Sequence, residues 1–348
     1  MVKTFAHRKL GEVGSSLEEL WFEIGGSCHL RCDYCFAQSG GVDKDPNNLT
    51  SREIAKFLDE FRSMGGQAIG IVGAGEPFHA RNIRDTFGVL EQMKGIGIKT
   101  IIFTTADLLT DRVIGRLNQY PDITLLVKYN SSKHEVQDRL VHLAGYTERR
   151  DEAMRKLIAR GYNNGNRLGI VTSIMTENAD EMPDLLRFAR KNNLIFDADT
   201  LIPRSRGGTC HLQTIDDKTK AVLRELQRVD REEFQNEWEI TGSYVASPPC
   251  TRFSKHLYID KTGKVHPCVG SPAIELGDIK QQTLAEIWNS PLMKMIREHN
   301  YAGKCTTCKN YEEHKCYSCL GRATEGLTTE SLGRDGVVTT GCFNYRGK

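Results

Sequence analysis

The sequence predicts an α/β fold, a partial (β/α)6 barrel followed by a small cysteine-rich domain. Three observations carry this expectation. From residue 20 to about 240, short β-rich runs alternate with amphipathic stretches. After residue 240 the alternation stops at Ser247-Pro248-Pro249-Cys250. The cysteines fall into two groups, Cys28, Cys32 and Cys35 near the start and seven in the last hundred residues.

The expected strands are Leu20–Ile24, Ala68–Gly73, Lys99–Thr104, Ile123–Tyr129, Arg167–Met175 and Leu194–Ile202. Between them lie expected helices at Ser51–Met64, Ile83–Lys94, Asp111–Gln119, Glu148–Arg160 and Glu181–Lys191. Thr50 before Ser51-Arg52-Glu53 reads as a helix cap with an acid in the first turn, and Gly65-Gly66 as its stop. Six strand–helix units in series argue for a parallel sheet with right-handed crossovers. Six are too few to close an eight-fold barrel, so the barrel is partial. In such folds the site lies at the C-terminal ends of the strands, the edge on which the first cysteine run falls. Beyond residue 240, His256–Ile259 and Lys264–His266 flank the turn Asp260-Lys261-Thr262-Gly263, a hairpin pattern, and a helix is expected at Leu284–Asn289. The remaining tail has few large apolar residues and needs metal to fold. The expected domains are a short extension over 1–19, the barrel over 20–240 and the cysteine-rich domain over 241–348.

The 348 residues carry 47 basic and 45 acidic side chains, scattered along the chain. That balance leaves no electrostatic footprint for nucleic acid. No apolar run reaches membrane-spanning length, and Met1-Val2-Lys3-Thr4-Phe5-Ala6 lacks a signal-peptide core, so a cytoplasmic protein with no membrane partner is expected. Eleven cysteines in that compartment point to metal rather than disulfides.

The spacing Cys28-x3-Cys32-x2-Cys35 lets three thiolates hold three irons of a four-iron cluster and leaves the fourth iron open for a ligand. A zinc site completed by another residue such as His29 is the competing reading, but zinc sites usually pair two CxxC knuckles. Gly73-Ala74-Gly75-Glu76-Pro77 directly follows the second expected strand and places a carboxylate at the same sheet edge.

The cysteine triad with Tyr34 before its last member, followed by Gly75-Glu76-Pro77, resembles the radical S-adenosylmethionine (SAM) superfamily. The resemblance implies that the open iron chelates SAM, that Glu76 with Gly75 holds its amino group and that Tyr34 packs near the adenine. Where many relatives carry ribose contacts, this chain has Lys128 and Asn130 at the end of the fourth strand, for which a surface lysine and a turn asparagine are the alternative reading. Cys250-x12-Gly263-x4-Cys268, Cys305-x2-Cys308-x7-Cys316-x2-Cys319 and Cys342 resemble the seven-cysteine SPASM extension, although the common central gaps are two, five and three. By that analogy Cys250, Cys268 and Cys319 serve one auxiliary 4Fe-4S cluster, and Cys305, Cys308, Cys316 and Cys342 a second. The competing reading is a pair of zinc knuckles from Cys305/Cys308 and Cys316/Cys319. Seven cysteines leave two such clusters one ligand short, so either one iron is open or Cys210 or His211 supplies the eighth, and Cys210 is read first as a small buried hydrophobe.

The fold class so implied is α/β, a partial (β/α)6 TIM-like barrel with a small Cys-rich auxiliary-cluster domain. The implied cofactors are SAM and three 4Fe-4S clusters, with a flavodoxin or ferredoxin-type electron donor. The implied chemistry is cleavage of SAM to a 5′-deoxyadenosyl radical that abstracts hydrogen from a substrate C–H bond. Many relatives with this extension modify peptides, often through a leader-binding N-terminal domain. Only about twenty residues precede the first strand here, too few for such a domain. That tilts the expectation toward oxidation or rearrangement of a small polar metabolite, sugar-, cyclitol- or nucleoside-like. A peptide or protein maturase forming thioether or C–C crosslinks is the alternative, and a zinc-stabilised binding module the third. The loop Pro203-Arg204-Ser205-Arg206-Gly207-Gly208 suits a substrate carboxylate or a solvated basic surface, and Arg139, His142 and Tyr146 stand between substrate contacts and ordinary structure.

Overall fold

The computed structural model describes residues 16–202, 204–209, 211–212, 216–238, 252–298 and 329. In chain order its elements are β1 (Glu19–Phe22), α1 (Ser51–Ser63), β2 (Ala68–Ile71), α2 (Ile83–Met93), β3 (Lys99–Thr104), α3 (Asp111–Leu117), β4 (Ile123–Lys128), α4 (His134–Val141), α5 (Tyr146–Ala159), β5 (Leu168–Ile174), α6 (Met182–Lys191), β6 (Ile195–Thr200), α7 (Ser205–Thr209), α8 (Asp216–Phe234), β7 (His256–Ile259), β8 (Lys264–His266), β9 (Gly277–Asp278), α9 (Leu284–Trp288) and α10 (Pro291–Arg297). They form two compact units, each assembled from separated stretches of chain.

The first unit is built from Ile24–Lys44 and Ile71–Glu239. Its strands run in the order β6-β5-β4-β3. They are parallel, with Thr104 opposite Val127, Lys128 opposite Val171 and Val171 opposite Asp197. The central strands are near-continuous apolar runs, as a sheet covered on both faces requires. The half-buried polar exceptions are Lys128, Ser173, Asp197 and Asp199. The register and the two-residue period put all of them on one face. Gly169 allows β5 and β6 to approach, since a Cβ there would lie 2.6 Å from that of Ile195.

The described residues of the second unit are 16–23, 45–70, 252–298 and 329, with strand order β2-β1-β7-β8-β9. β1 runs parallel to β7, and β7, β8 and β9 are antiparallel. Thr50 and Glu53 close a reciprocal capping box on α1, and Thr283 and Glu286 do the same on α9. The two helices meet where Leu284 N–H donates to Glu60 at 2.8 Å. In the hairpin turn, the Asp260 carboxylate accepts from Thr262 N–H at 2.8 Å, the Thr262 hydroxyl at 2.7 Å and Lys264 N–H at 3.0 Å.

Among the described residues, four helices go beyond the sequence expectation: α4, α7, α8 and α10. No described helix is long and apolar enough to cross a membrane.

Candidate active site

The cysteine run forms a loop held at several points. Cys28 exchanges backbone hydrogen bonds with Gly41 at 3.0 and 2.6 Å. Arg31 and Asp33 N–H donate to the carbonyls of Val141 and Leu140 at the end of α4, at 3.2 and 3.0 Å. Cys35 N–H donates to Cys32 O at 3.2 Å, and Ser39 N–H donates to Cys35 Sγ at 3.3 Å. Leu30, Tyr34, Leu140, Val141, Tyr146, Met175, Leu201 and Leu212 wall this loop with apolar surface. Burial pushes the Cys28 thiol well up and the Cys32 thiol to about 12. Thiols so buried ionise only against a cationic partner, and a purely sulfur donor set in a dry wall suits iron. Among the described residues, no three His, Cys, Asp or Glu groups gather around a single-ion position. His29 is engaged elsewhere, with Nε2 at 2.8 Å from Asp107, which removes the residue named for a zinc alternative. The donor set therefore fits an open-site iron–sulfur cluster.

The Gly75–Glu76 turn packs directly on this loop. Gly75 has φ +82°, and a Cβ there would lie 2.1 Å from Gly25 O and 2.9 Å from Ser27 O. Only glycine allows that approach. Its N–H donates to the Ser39 hydroxyl at 2.8 Å, and Glu76 N–H donates to Ser27 O at 3.0 Å. Asn82 clamps the turn, its amide nitrogen donating to Ser27 O and to Glu76 O, both at 2.9 Å. The Glu76 side chain is 1 % exposed. It accepts from the Thr104 hydroxyl at 2.6 Å, Phe78 N–H at 3.2 Å, Thr105 N–H at 2.8 Å and the Thr105 hydroxyl at 3.0 Å. Burial nevertheless raises its pKa, against the lowering effect of these bonds. The carboxylate that the resemblance assigns to an ammonium group thus has four donors of its own, and its first structural task is to fix the turn. Ala106 beside it adopts φ +66°, a strained conformation for a residue with a Cβ.

Lys128 is half-buried at the end of β4, with its amino group turned inward. Its Nζ donates to the Ser173 hydroxyl at 2.7 Å and stands 5.3 Å from the centre of the Tyr34 ring. Burial lowers its pKa to about 8, against the nearby Cys32, Asp199 and Asp197. Asn130 is fully buried. Its side-chain oxygen accepts from Ser173 N–H at 2.9 Å, and its backbone oxygen accepts from Asn178 at 2.7 Å. Its amide nitrogen has no hydrogen-bond partner among the described residues, a buried donor consistent with an unfilled contact. The segment after β4 is fixed by side chains that sequence reasoning did not single out. Gln137 accepts from Asn130 and Ser131 N–H at 2.9 and 3.0 Å and from the buried Arg150 at 3.1 Å. Glu181 accepts from the hydroxyls of Ser131 at 2.9 Å and Ser132 at 3.2 Å. Arg150 also stacks 3.5 Å over the Tyr129 ring. The only sequence signal for these groups was polar residues beside strand ends.

Cys28, Cys32, Cys35, Tyr34, Gly75, Glu76, Lys128 and Asn130 all fall within the first unit. Of the C-terminal cysteines only Cys268 is described. Its N–H donates to the Ser271 hydroxyl at 3.1 Å, and that hydroxyl lies 3.3 Å from its Sγ. Cys250, Cys305, Cys308, Cys316, Cys319, Cys342 and the leftover Cys210 lie outside the described residues. Tyr146 is fully buried, its hydroxyl donating to Thr105 O at 3.1 Å, while His142 meets Asp33 at 2.6 Å and Arg139 meets Glu177 at 2.7 Å.

Residues 22–189 match the family model described as Radical SAM superfamily, and residues 250–309 match SPASM, an iron-sulfur cluster-binding domain. Mycofactocin maturase MftC of Mycobacterium ulcerans (strain Agy99) is 23 % identical over 335 residues, 91 % of this chain and 85 % of that protein. GTP 3′,8-cyclase of Stenotrophomonas maltophilia (strain R551-3) is 30 % identical over 102 residues, 29 % of this chain and 31 % of that protein. Among solved structures, Streptococcus suis SuiB bound to S-adenosylmethionine matches with a TM-score of 0.67 at 17 % identity, over 92 % of this chain and 78 % of that one. Native anSMEcpe with bound AdoMet matches with a TM-score of 0.61 at 14 % identity, over 92 % and 93 %. These likenesses show the fold, a TIM-like partial barrel with a C-terminal SPASM domain. The chain is a radical SAM enzyme with a SPASM iron–sulfur domain, using SAM and 4Fe-4S clusters as cofactors.

Proposed function

We propose that this enzyme is a peptide-modifying maturase. The observation that carries the reading is the likeness to mycofactocin maturase along 91 % of the chain and 85 % of that protein. The expectation of a small polar metabolite rests on the short N-terminal stretch, and the relatives favour the peptide alternative over it.

In this reading Cys28, Cys32 and Cys35 hold the cluster, Tyr34 packs against SAM, and the Gly75–Glu76 turn, Lys128 and Asn130 contact it. When bound, cluster and SAM supply a radical that removes hydrogen from a substrate C–H bond. The chain's own contribution is placement and dryness. The apolar wall of Leu30, Leu140, Val141 and Met175 keeps water from the cysteine loop. Asn82, Thr104 and Thr105 fix the turn before cofactor arrives, so little ordering is left to binding. Lys128 places a cation beside Tyr34 and the thiol ligands. Cys250, Cys268 and Cys319 serve one auxiliary cluster, Cys305, Cys308, Cys316 and Cys342 the other, and a flavodoxin or ferredoxin supplies electrons.

The test is anaerobic. Reconstituted protein receives dithionite and SAM, and 5′-deoxyadenosine is quantified with host peptide and small-molecule fractions supplied separately. Stimulation by the peptide fraction alone, with a peptide losing two mass units per turnover or gaining a crosslink, supports the proposal. Stimulation by the small-molecule fraction alone refutes it.

A further inference from the structure

The turn after β6 reaches back onto the cysteine loop. Ser205 opens it at φ +49°, a left-handed conformation that costs a non-glycine residue energy. At Gly207 a Cβ would lie 2.8 Å from Ile202 O and 3.0 Å from Tyr34 O, so the two backbones meet only because glycine stands there. Gly207 N–H points to Cys35 O at 3.4 Å. Between these two residues, Arg206 Nε donates to Cys32 O at 2.8 Å, and a terminal guanidinium nitrogen donates to Ser39 O. Ser39 is a junction, because its N–H donates to Cys35 Sγ at 3.3 Å and its hydroxyl accepts from Gly75 N–H at 2.8 Å. One guanidinium therefore braces the triad and, through Ser39, the Gly75 turn.

We propose that Arg206 is a positioning residue for the triad cluster that also raises the cluster's reduction potential. This rests on the reading that Cys28, Cys32 and Cys35 hold that cluster. The fork of a guanidinium reaches two carbonyls at fixed separation, which a single ammonium does not. Its charge is permanent at any working pH. Reduction adds an electron to the cluster, and a fixed cation beside the ligands stabilises the reduced form more than the oxidised one. Two of its nitrogens are committed to backbone carbonyls, which displaces the expectation that this arginine receives a substrate carboxylate. The strained Ser205 and the obligatory Gly207 then have one purpose, to bring Arg206 to its seat.

The experiment is a potentiometric titration of the reconstituted full-length enzyme, following the cluster whose electron paramagnetic resonance signal changes when SAM is added. Arg206→Gln and Arg206→Met remove the charge, and Arg206→Lys keeps it without the fork. Both neutral variants are expected to shift the oxidised-to-reduced ratio at least tenfold toward oxidised, about 59 mV for a one-electron couple, with the lysine variant shifted by less than half of that. Loss of that cluster's iron from the neutral variants, with retention in the lysine variant, also supports the role. Full iron content with a shift under twofold, about 18 mV, in both neutral variants overturns it. A parallel Cys28→Ala, Cys32→Ala, Cys35→Ala variant separates the underlying reading. If it keeps the SAM-responsive signal, the cluster assignment itself is wrong.

Discussion

The Gly75 turn gives the sharpest single-residue prediction. Alanine at 75 must adopt φ +82°, which costs an L-residue about 1–2 kcal/mol. Its Cβ would stand 2.1 Å from Gly25 O, more than 1 Å inside normal contact, and that neighbour is backbone with little room to yield. Overpacking of that kind adds about 1–3 kcal/mol. Displacing the turn also loosens the bond from Gly75 N–H to Ser39, worth about 1 kcal/mol. The sum is about 3–6 kcal/mol, or a melting temperature lower by about 6–24 °C at ~2–4 °C per kcal/mol for a unit of this size. Gly88 is the internal control. It is exposed within α2, a Cβ added to it would meet nothing within 4 Å, and its φ is not left-handed. Gly88→Ala should therefore raise stability by about 0.5–1 kcal/mol, because it reduces the freedom of the unfolded chain without strain. Differential scanning calorimetry of the two reconstituted variants, with isothermal titration of SAM, measures both. Gly75→Ala melting within about 2 °C of the parent would refute the steric reasoning, since that is less than one kcal/mol.

Further outcomes are expected elsewhere. Asn82→Ala removes two buried hydrogen bonds that join Ser27 and Glu76, and should cost about 2–3 kcal/mol in urea unfolding together with weakened SAM binding. Arg150→Met leaves the Ser131 carbonyl and Gln137 short of a donor and ends the stacking on Tyr129, so a loss of about 2–4 kcal/mol is expected, read by thermal unfolding. Thr50→Ala removes the hydroxyl that accepts from Glu53 N–H, leaving only the backbone half of the capping box of α1, and should lower stability by about 1 kcal/mol, with no effect on SAM affinity. Replacing Cys28, Cys32 and Cys35 by alanine should remove about one third of the bound iron, four of about twelve, measured colorimetrically after reconstitution.

Much of the barrel was legible because its signals are local. β3 spans Lys99–Thr104 as the pattern implied, and the hairpin strands His256–Ile259 and Lys264–His266 also coincide with expectation. Expected strands overran elsewhere, as at Ala68–Gly73, where pairing ends at Ile71 and Val72-Gly73 already belongs to the turn. The short α4 escaped notice because Lys133 provides no side-chain cap, and only Val136, Leu140 and Val141 mark its apolar face among polar neighbours. α8 was detectable in principle from Val222, Leu223, Leu226 and Val229, which have helical spacing and are buried. The triad and the Gly75 turn announced themselves through composition and spacing. The groups that hold them did not. Asn82 reaches Ser27 across 55 residues and Arg206 reaches Cys32 across 174, and no local pattern encodes such a meeting.

The ladder between β1 and β7 has a consequence for biosynthesis. Trp21 lies opposite Tyr258 and Phe22 opposite Ile259, so β1 waits for a partner made more than two hundred residues later. Elongation at roughly 5–20 residues per second makes that wait on the order of ten seconds or more, during which one edge of an apolar strand is open. Loop closure over such a span also slows folding relative to local contacts. A ribosome that stalls before residue 259 therefore releases a chain prone to aggregate, and shortening the gene to isolate the N-terminal half would do the same. Chaperone co-expression and slow, cool induction address this directly, and the yield of shortened chains should respond to them more than that of the full-length protein.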